Sequence, residues 1–264
     1  MNPPPKPLLF KAWFINLEKA ADRRLAMESA FALADIPVER VTAIDGHTLS
    51  LPLAGYNQRL YHRRHGRTTK PGEIGCYLSH IKAMQAFLDD GAAFGLICED
   101  DLILFPHFRE VLIEALERSG GWNVLRLSGL GPGKPAPIRH LGHGAWLCVN
   151  FARLKGAGAY VVDRAAAKAM VTGLIPMWLP WDHAIDREWN LGLRACSIYP
   201  FPASQTETGF RSSIQGGTAQ KLAPFRRWMT TYPYQAFTEV SRWLVRGLHH
   251  FRLKRGRLPT ADYA

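Results

Sequence analysis

The sequence predicts an α/β protein in which a mostly parallel sheet is covered by helices on both faces. Apolar runs of strand length alternate with longer helical patterns along most of the chain, which is typical of β-α-β units. The run at 94–98 is apolar throughout, as expected for a strand buried on both faces. With 264 residues, 47% of them hydrophobic, the chain is long enough to bury a large core. We expect one domain at 1–220 and a basic C-terminal helical tail at 221–264.

In the N-terminal half, strand formers fill 12–17 and 38–44, and the second of these runs is stopped by Asp45-Gly46. A helix is expected at about 22–34. Another should begin at Pro71, because proline is favoured in the first turn of a helix.

In the C-terminal half the same alternation continues after the strand at 94–98. The Gly/Pro-rich stretch at 128–137 is expected to be a loop. The remaining pattern predicts helices at about 106–118, 164–173 and 181–190, and strands at 122–127, 159–162 and 195–199.

The positive charge is concentrated in the tail. The formal net charge is 33 − 22 = +11, and residues 221–264 contribute nine basic and two acidic residues, or +7. An apolar stripe at helical spacing runs through Phe237, Val240, Leu244, Leu248 and Phe251. Such a helix either lies on an anionic membrane surface or packs on the domain with a solvated basic face.

A second basic cluster lies between Asp45 and Glu73, a stretch without acidic residues. Pro52, Gly55 and Gly66 predict a long irregular loop here. Its Lys and Arg side chains either hold phosphate groups of a ligand or are simply solvated. The basic residues are Arg59, Arg63, Arg64, Arg67 and Lys70.

No apolar run approaches the roughly 20 residues that cross a bilayer, and the first residues lack the apolar stretch of a secretory signal. We therefore expect a cytoplasmic protein. The four cysteines form no Cys-x-x-Cys pair, which favours reduced, buried thiols over a zinc site.

Three consecutive carboxylates, Glu99, Asp100 and Asp101, follow the buried strand at 94–98. Ligands of open α/β sheets bind outside the carboxyl ends of the strands. The mutual repulsion of three such charges is tolerable when a divalent cation offsets it, and hard oxygen ligands suit Mn²⁺ or Mg²⁺. The alternative is a solvent-exposed acidic turn.

The order of motifs resembles glycosyltransferase family 25, which contains bacterial lipopolysaccharide and lipooligosaccharide galactosyltransferases and relatives of collagen galactosyltransferases. The resemblance implies a GT-A-like fold, a UDP-sugar donor (most often UDP-galactose), Mn²⁺ or Mg²⁺, and inversion at the anomeric carbon. The motifs that carry it are Phe14-Ile15-Asn16-Leu17, Asp22-Arg23-Arg24, Ala43-Ile44-Asp45-Gly46, Gly72-Glu73-Ile74-Gly75-Cys76-Tyr77-Leu78-Ser79-His80 and Glu99-Asp100-Asp101.

The resemblance also implies residue roles. Asp101 would ligate the metal, with Glu99 supporting it directly or through water. Asp45 would meet the uridine or ribose, and His80 would either touch donor phosphate or serve packing. The full set of implied donor-binding residues is Asn16, Asp22, Arg23, Asp45, Ser79, His80, Asp100 and Gln205.

An inverting transfer needs a general base for the acceptor hydroxyl. The family places an aspartate after a Pro-x-Asp step, and Pro180-Trp181-Asp182 fits it, which makes Asp182 the candidate base and Asp186 its rival. The implied acceptor is a saccharide or glycolipid, so a peripheral position on the inner face of the cytoplasmic membrane is expected.

Three other functions compete with this interpretation. The sequence pI of about 9.8 would suit a nucleic-acid-binding protein, although no binding motif is present and no specific nucleic-acid partner is expected. Clustered carboxylates also serve metal-dependent phosphohydrolases, which usually need more ligands than one triplet. The third is a family member that binds sugars without catalysis.

Overall fold

The computed structural model describes residues 9–117, 119–205 and 219–256, and the structural statements below concern these ranges. Its strands are β1 (Phe10–Asn16), β2 (Val38–Thr42), β3 (Phe94–Glu99), β4 (Ile103–Leu104), β5 (Val124–Arg126), β6 (Pro135–His140), β7 (Trp146–Asn150), β8 (Ala159–Asp163), β9 (Ala195–Tyr199) and β10 (Ala203–Ser204). Its α-helices are α1 (Ala21–Leu33), α2 (Gln58–His65), α3 (Pro71–Asp89), α4 (Phe108–Glu117), α5 (Arg164–Gly173), α6 (Trp181–Ile185), α7 (Pro224–Arg226) and α8 (Tyr232–Lys254).

Eight of the strands form one sheet in the order β2-β1-β3-β8-β5-β9-β7-β6. The pairings β1–β2, β1–β3 and β5–β9 are parallel, whereas β8 and β7 run against their neighbours, so six of the eight strands point the same way. The predicted fold class, an α/β, GT-A-like arrangement with a mostly parallel sheet, is confirmed.

Helices cover both faces of the sheet, and each face has its own apolar core. Phe31 of α1 and Leu112 of α4 belong to one buried cluster. Phe87 of α3 and Met170 of α5 belong to the other. The strands between them are buried nearly throughout, which is why β3 and β8 are continuous apolar runs.

Three segments differ from the sequence predictions. The predicted basic loop contains the helix α2, whose first turn is capped by the side chain of Asn57 and whose end is marked by Gly66 in the left-handed region. The predicted loop at 128–137 runs into an antiparallel hairpin, β6–β7, which begins at Pro135. The predicted helix at 181–190 is shorter, with α6 followed by a 3₁₀ turn at Glu188–Leu191.

The tail is helical as predicted, but its basic face is not solvated. Arg242, Arg246 and His249 are buried, while the apolar stripe faces outward. The cause is the pair of carboxylates Asp186 and Glu188, which compensate both arginines. None of the helices within the described ranges combines the length and the apolarity needed to cross a membrane.

The domain boundary at residue 220 stays a prediction. Parts of both predicted units, namely 1–8, residue 118, 206–218 and 257–264, lie outside the described residues.

Candidate active site

A cavity of about 280 Å³ opens beside the carboxyl ends of the three adjacent parallel strands β1, β2 and β3. This is the edge at which α/β sheets bind ligands, because the loops that follow parallel strands meet there. The N-terminal half of α3 forms another part of its wall. Seven of the residues singled out from the sequence line it: Arg23, Asp45, Ser79, His80, Glu99, Asp100 and Asp101.

The middle carboxylate of the triplet is engaged by the protein itself. Asp100 accepts a hydrogen bond of 2.7 Å from the Asn16 amide and pairs with the Arg23 guanidinium at 2.8 Å. Burial raises the pKa of Asp100, and Arg23 and Asn16 oppose that rise. Asn16 and Arg23 therefore act on this carboxylate, and Asn16 does not itself line the cavity.

Glu99 and Asp101 converge on one point. The Gln205 side-chain nitrogen donates to Glu99 at 2.9 Å and to Asp101 at 2.8 Å. Burial and the neighbouring Glu99 charge raise the pKa of Asp101 to about 6. Burial also acts to raise the pKa of Glu99, but hydrogen bonds from His80 and Gln205 lower it overall. The two flanking carboxylates of the triplet thus face the same small volume.

His80 is fully buried behind Glu99. One of its ring nitrogens lies 2.9 Å from the Tyr160 hydroxyl and the other 3.3 Å from Glu99, and its ring stacks on Trp181 at 4.8 Å. The Cys76 sulfur completes a group of three potential metal-ligand atoms with His80 and Glu99, all within 4.8 Å of one another. Burial raises the pKa of the Cys76 thiol well above its usual value, so this sulfur is a protonated thiol.

The N-terminus of α3 approaches the end of β2 closely, and two glycines allow it. A Cβ on Gly75 would lie 2.4 Å from the Ile44 carbonyl oxygen, and one on Gly46 would lie 1.8 Å from that of Pro71. The Ser79 hydroxyl accepts from the Ile44 amide at 2.8 Å and donates to the Gly75 carbonyl at 2.6 Å. Ser79 therefore joins helix to strand, which explains the Gly-x-x-x-Ser spacing physically.

Asp182 does not line the cavity but is linked to it through a glycine loop. Its carboxylate accepts from the Gly156 amide at 3.3 Å, and Arg126 donates to the Gly156 carbonyl. Two residues on, Gly158 packs so tightly on Gln205 that a Cβ would lie 2.3 Å from its amide carbon. Burial raises the pKa of Asp182, opposed by the Gly156 amide and nearby arginines. The loop thus contacts both Asp182 and the Gln205 side chain that joins Glu99 to Asp101.

Asp186, the rival base, is in a different environment. Its two carboxylate oxygens pair with Arg242 at 2.8 Å and with Arg246 at 3.0 Å, and the side chain is buried. Both oxygens of this carboxylate are therefore engaged by guanidinium groups of α8. The contacts place Asp186 at the interface between α6 and α8, and its role as the rival base stays a prediction.

Comparison with known proteins shows the family to which the chain belongs. The sequence model described as glycosyltransferase family 25 (LPS biosynthesis protein) matches residues 10–130. A relative from Drosophila pseudoobscura pseudoobscura, named glycosyltransferase 25 family member, is 32% identical over 231 residues, which are 77% of this chain and 36% of the relative. The chain belongs to glycosyltransferase family 25.

Two other family 25 relatives differ in their stated activity. Procollagen galactosyltransferase 1 of Danio rerio is 32% identical over 111 residues, which are 39% of this chain and 18% of that protein. The inactive glycosyltransferase 25 family member 3 of Mus musculus is 25% identical over 232 residues, or 77% of this chain and 38% of that one. The family 25 chain thus spans well under half the length of these relatives.

In this family 25 chain, two polar residues of the loops after β1 and β2 line the cavity but were not singled out from the sequence. Lys19 and His47 line the cavity, and Lys19 pairs with Asp45 at 2.6 Å. This contact, together with the His47 amide, lowers the pKa of Asp45. Lys19 lies three positions after the end of β1 and His47 five positions after the end of β2, a signal that could have identified them. Asp22, by contrast, is exposed in the first turn of α1 and does not line the cavity.

Proposed function

We propose that this protein is an inverting, metal-dependent glycosyltransferase that moves a sugar, most often galactose, from a UDP-sugar to a saccharide acceptor. The acceptor would be lipopolysaccharide or a related cell-surface glycan, met at the inner face of the cytoplasmic membrane. One observation supports this most strongly: Glu99 and Asp101 direct carboxylate oxygens at one point beside a cavity of about 280 Å³ at the carboxyl ends of β1–β3.

The oxygen donors at this point fit a hard divalent cation. Glu99 and Asp101 would hold Mn²⁺ or Mg²⁺, in line with the preference of these ions for carboxylates. The neighbouring group of Cys76, His80 and Glu99 fits these ions less well, because sulfur and imidazole are softer ligands than Mn²⁺ or Mg²⁺ prefer and both imidazole nitrogens already have partners. When bound, the cation would offset the negative charge that develops on the departing diphosphate.

The chain's own residues would carry out the remaining tasks. Asp182 would accept the proton of the acceptor hydroxyl while that oxygen forms the new bond to the anomeric carbon. The bond from that carbon to the diphosphate oxygen breaks with its electron pair, and UDP leaves. The raised pKa of Asp182 suits a base, because a carboxylate of higher basicity takes a hydroxyl proton more readily.

The donor would lie along the loops after β1 and β2. Asp45, directly after β2, offers a carboxylate for ribose or uracil donors, and its contact with Lys19 keeps it ionised. Arg23 and Lys19, which pair with Asp100 and Asp45, also line the cavity, and N–H donors of this kind suit a diphosphate.

The test is a donor panel. Purified protein would be incubated with UDP-, GDP- and CMP-sugars, each with Mn²⁺, with Mg²⁺ or with a chelator, and donor turnover would be followed. We expect turnover of a UDP-sugar that needs the metal. Because Lewis-acid stabilisation amounts to several kcal/mol, Asp101→Ala should lower it by roughly a thousandfold.

Asp89→Ala, an exposed carboxylate at the end of α3, is the matched control and should keep wild-type turnover. Circular dichroism should show that both variants fold. Wild-type turnover by Asp101→Ala in the presence of Mn²⁺ would remove the metal role. Absence of turnover with every donor would refute the proposed enzymatic activity. It would favour the alternative of a family member that binds sugars without catalysis.

A further inference from the structure

The outer face of α8 is apolar, although the helix contains four basic residues. We define this outer face by its exposed side chains Phe237, Val240, Trp243, Leu244, Leu248 and Phe251. Phe237 and Leu244 are 71% and 69% exposed, more than a core-facing stripe would be. The arrangement is the inverse of an ordinary surface helix, whose apolar stripe faces the core.

Buried charges fix the helix in this rotation. Arg246 pairs with Glu188 at 2.8 Å and with Asp186 at 3.0 Å, and Arg242 pairs with Asp186 from the preceding turn. One turn further along, His249 donates to the Gly121 carbonyl at 2.8 Å. Turning the apolar stripe inward would break all of these contacts and leave buried carboxylates uncompensated. The apolar face is therefore held outward by the fold.

The exposed apolar surface continues into the segment before α8. Phe225 is 74% exposed, and Trp228 and Met229 are exposed as well. These residues add exposed aromatic and apolar side chains to the helical region before α8. Exposed apolar patches of this extent mark sites of contact with a membrane or another protein.

The charges around this surface favour an anionic partner. Arg226 lies exposed before α8, and Arg252, Lys254 and Arg255 lie exposed at its far end. Within the described residues 219–256 the acidic side chain is Glu239, which accepts a hydrogen bond from Arg242. Apolar and aromatic side chains flanked by basic residues are typical of helices that lie in the headgroup region of anionic bilayers.

We infer that the outer face of α8 docks this protein on an anionic lipid surface. A second copy of the chain is a poorer occupant. In an antiparallel pairing of two such helices, Arg226 of each copy would meet the basic end of the other, and in a parallel pairing the two basic ends would meet. Anionic lipid headgroups instead neutralise both ends while the bilayer boundary takes up the apolar side chains.

This inference rests on the proposed function in one respect: the proposed glycolipid acceptor explains why the protein would bind a membrane. The docking itself involves neither the cavity nor the acidic triplet. It can therefore be tested without donor, metal or acceptor.

The experiment is co-sedimentation of the full chain with vesicles of phosphatidylcholine alone or mixed equally with phosphatidylglycerol. We expect binding to the mixed vesicles that weakens at high salt, and little binding to the neutral ones. The double variant Leu244→Gln with Leu248→Gln should bind at least roughly tenfold more weakly, because two leucines no longer enter the bilayer boundary.

Two further variants keep the test informative. Leu25→Gln with Leu33→Gln changes two exposed leucines of α1 and should bind like the wild type. Arg252→Gln with Lys254→Gln leaves the apolar face intact and should lower binding by roughly fivefold for each charge removed. Thermal unfolding should show that all three variants fold.

The inference is overturned if the wild type does not sediment with mixed vesicles, or if the α1 and α8 leucine variants bind equally. Light scattering that shows a dimer, dissociated by the α8 leucine change, together with no vesicle binding would identify a second copy as the occupant. Donor turnover with a soluble acceptor is measured separately. Turnover without docking refutes this inference alone, and docking without turnover refutes the proposed function alone.

Discussion

Two clusters of carboxylates in this molecule differ in how far their negative charge is compensated. At the inner face of α8, Asp186 and Glu188 are buried against Arg242 and Arg246, and each carboxylate has a guanidinium partner. At the cavity edge, Arg23 pairs with Asp100, while Glu99 and Asp101 share the amide of Gln205. Among the described residues, the first cluster is charge-balanced, and the second has an excess of negative charge beside the cavity.

This difference in charge compensation distinguishes carboxylates that stabilise the fold from carboxylates that are available to a ligand. A buried ion pair that is fully compensated fixes an orientation, here the rotation of α8. Neighbouring carboxylates that lack counter-charges are costly to maintain, and such a cost is typical of a site that awaits a cation. The predictions below test this distinction, from the largest expected effect to the smallest.

Arg246→Met should destabilise the fold by about 3–5 kcal/mol, because it leaves Glu188 and part of Asp186 buried without a counter-charge. Denaturant unfolding would measure the change in the free energy of unfolding. The control is Arg252→Met, an exposed residue on the same helix, which should stay within about 0.5 kcal/mol of wild type. Equal stability of the two variants would contradict the structural role of the α8 cluster.

Asp182→Asn should lower turnover by about a hundredfold, or about 2.7 kcal/mol, with donor affinity nearly unchanged, because general-base catalysis is lost. Steady-state kinetics and calorimetric donor titration would separate the two quantities. Asp186→Asn is the counterpart from the balanced cluster. It should lower stability while the folded fraction keeps its turnover. A hundredfold loss of turnover in folded Asp186→Asn, with Asp182→Asn active, would reverse the assignment.

Gly75→Ala should destabilise the fold by about 2 kcal/mol, because the new methyl group would lie 2.4 Å from the Ile44 carbonyl oxygen and force α3 away from β2. Since this contact frames the cavity, binding of UDP should weaken as well. Gly91→Ala is the matched control, with no atom within 4 Å of the added methyl group, and should change the free energy of unfolding little. Wild-type stability of Gly75→Ala would refute the close approach of helix and strand.

The pH dependence of stability should reveal the neutral histidine at the α8 interface. Burial lowers the pKa of His249 to about 4, from 6.5 when unfolded. Between these values the unfolded chain binds more protons, so stability is lost as pH falls from about 6.5 to about 4.

The contribution of His249 to this slope is up to about 1.4 kcal/mol per pH unit. His249→Gln should make the slope shallower, as measured by urea unfolding at several pH values. His140→Gln, an exposed histidine, should leave it unchanged. An identical slope in wild type and His249→Gln would contradict burial of a neutral imidazole.

Much of the fold was predictable because its strands carry their signal locally. β3 and β8 are largely apolar runs, and Pro71 marks the first turn of α3. The hairpin β6–β7 was missed because Pro135 and Pro137 open it, and prolines ordinarily mark loops. α2 was missed because its surface is largely basic, although Asn57 and Gly66 are capping signals that could have identified it.

The sequence predicted those parts of the site that directly follow a strand, but not the contacts between distant segments. The triplet Glu99-Asp100-Asp101 follows β3, so its place at the sheet edge could be inferred. The separate role of Asp100 could not, because Asn16 comes from another strand, 84 positions earlier. The partners of Asp186 are 56 and 60 positions away on α8, and no local pattern shows such pairing. For the same reason, the sequence did not predict that the basic side of α8 is buried and its apolar side exposed.

The order of strands also sets a limit on how the polypeptide can be divided. β8, which comes after residue 130, is inserted between β3 and β5, and β9, still later in the chain, covers the other edge of β5. A fragment cut at the end of the family match would leave β3 and β5 with bare backbone donors and acceptors and no common partner. Such a fragment should associate with itself rather than fold, so the part of the chain up to residue 130 and the strands that follow it have to be inherited together.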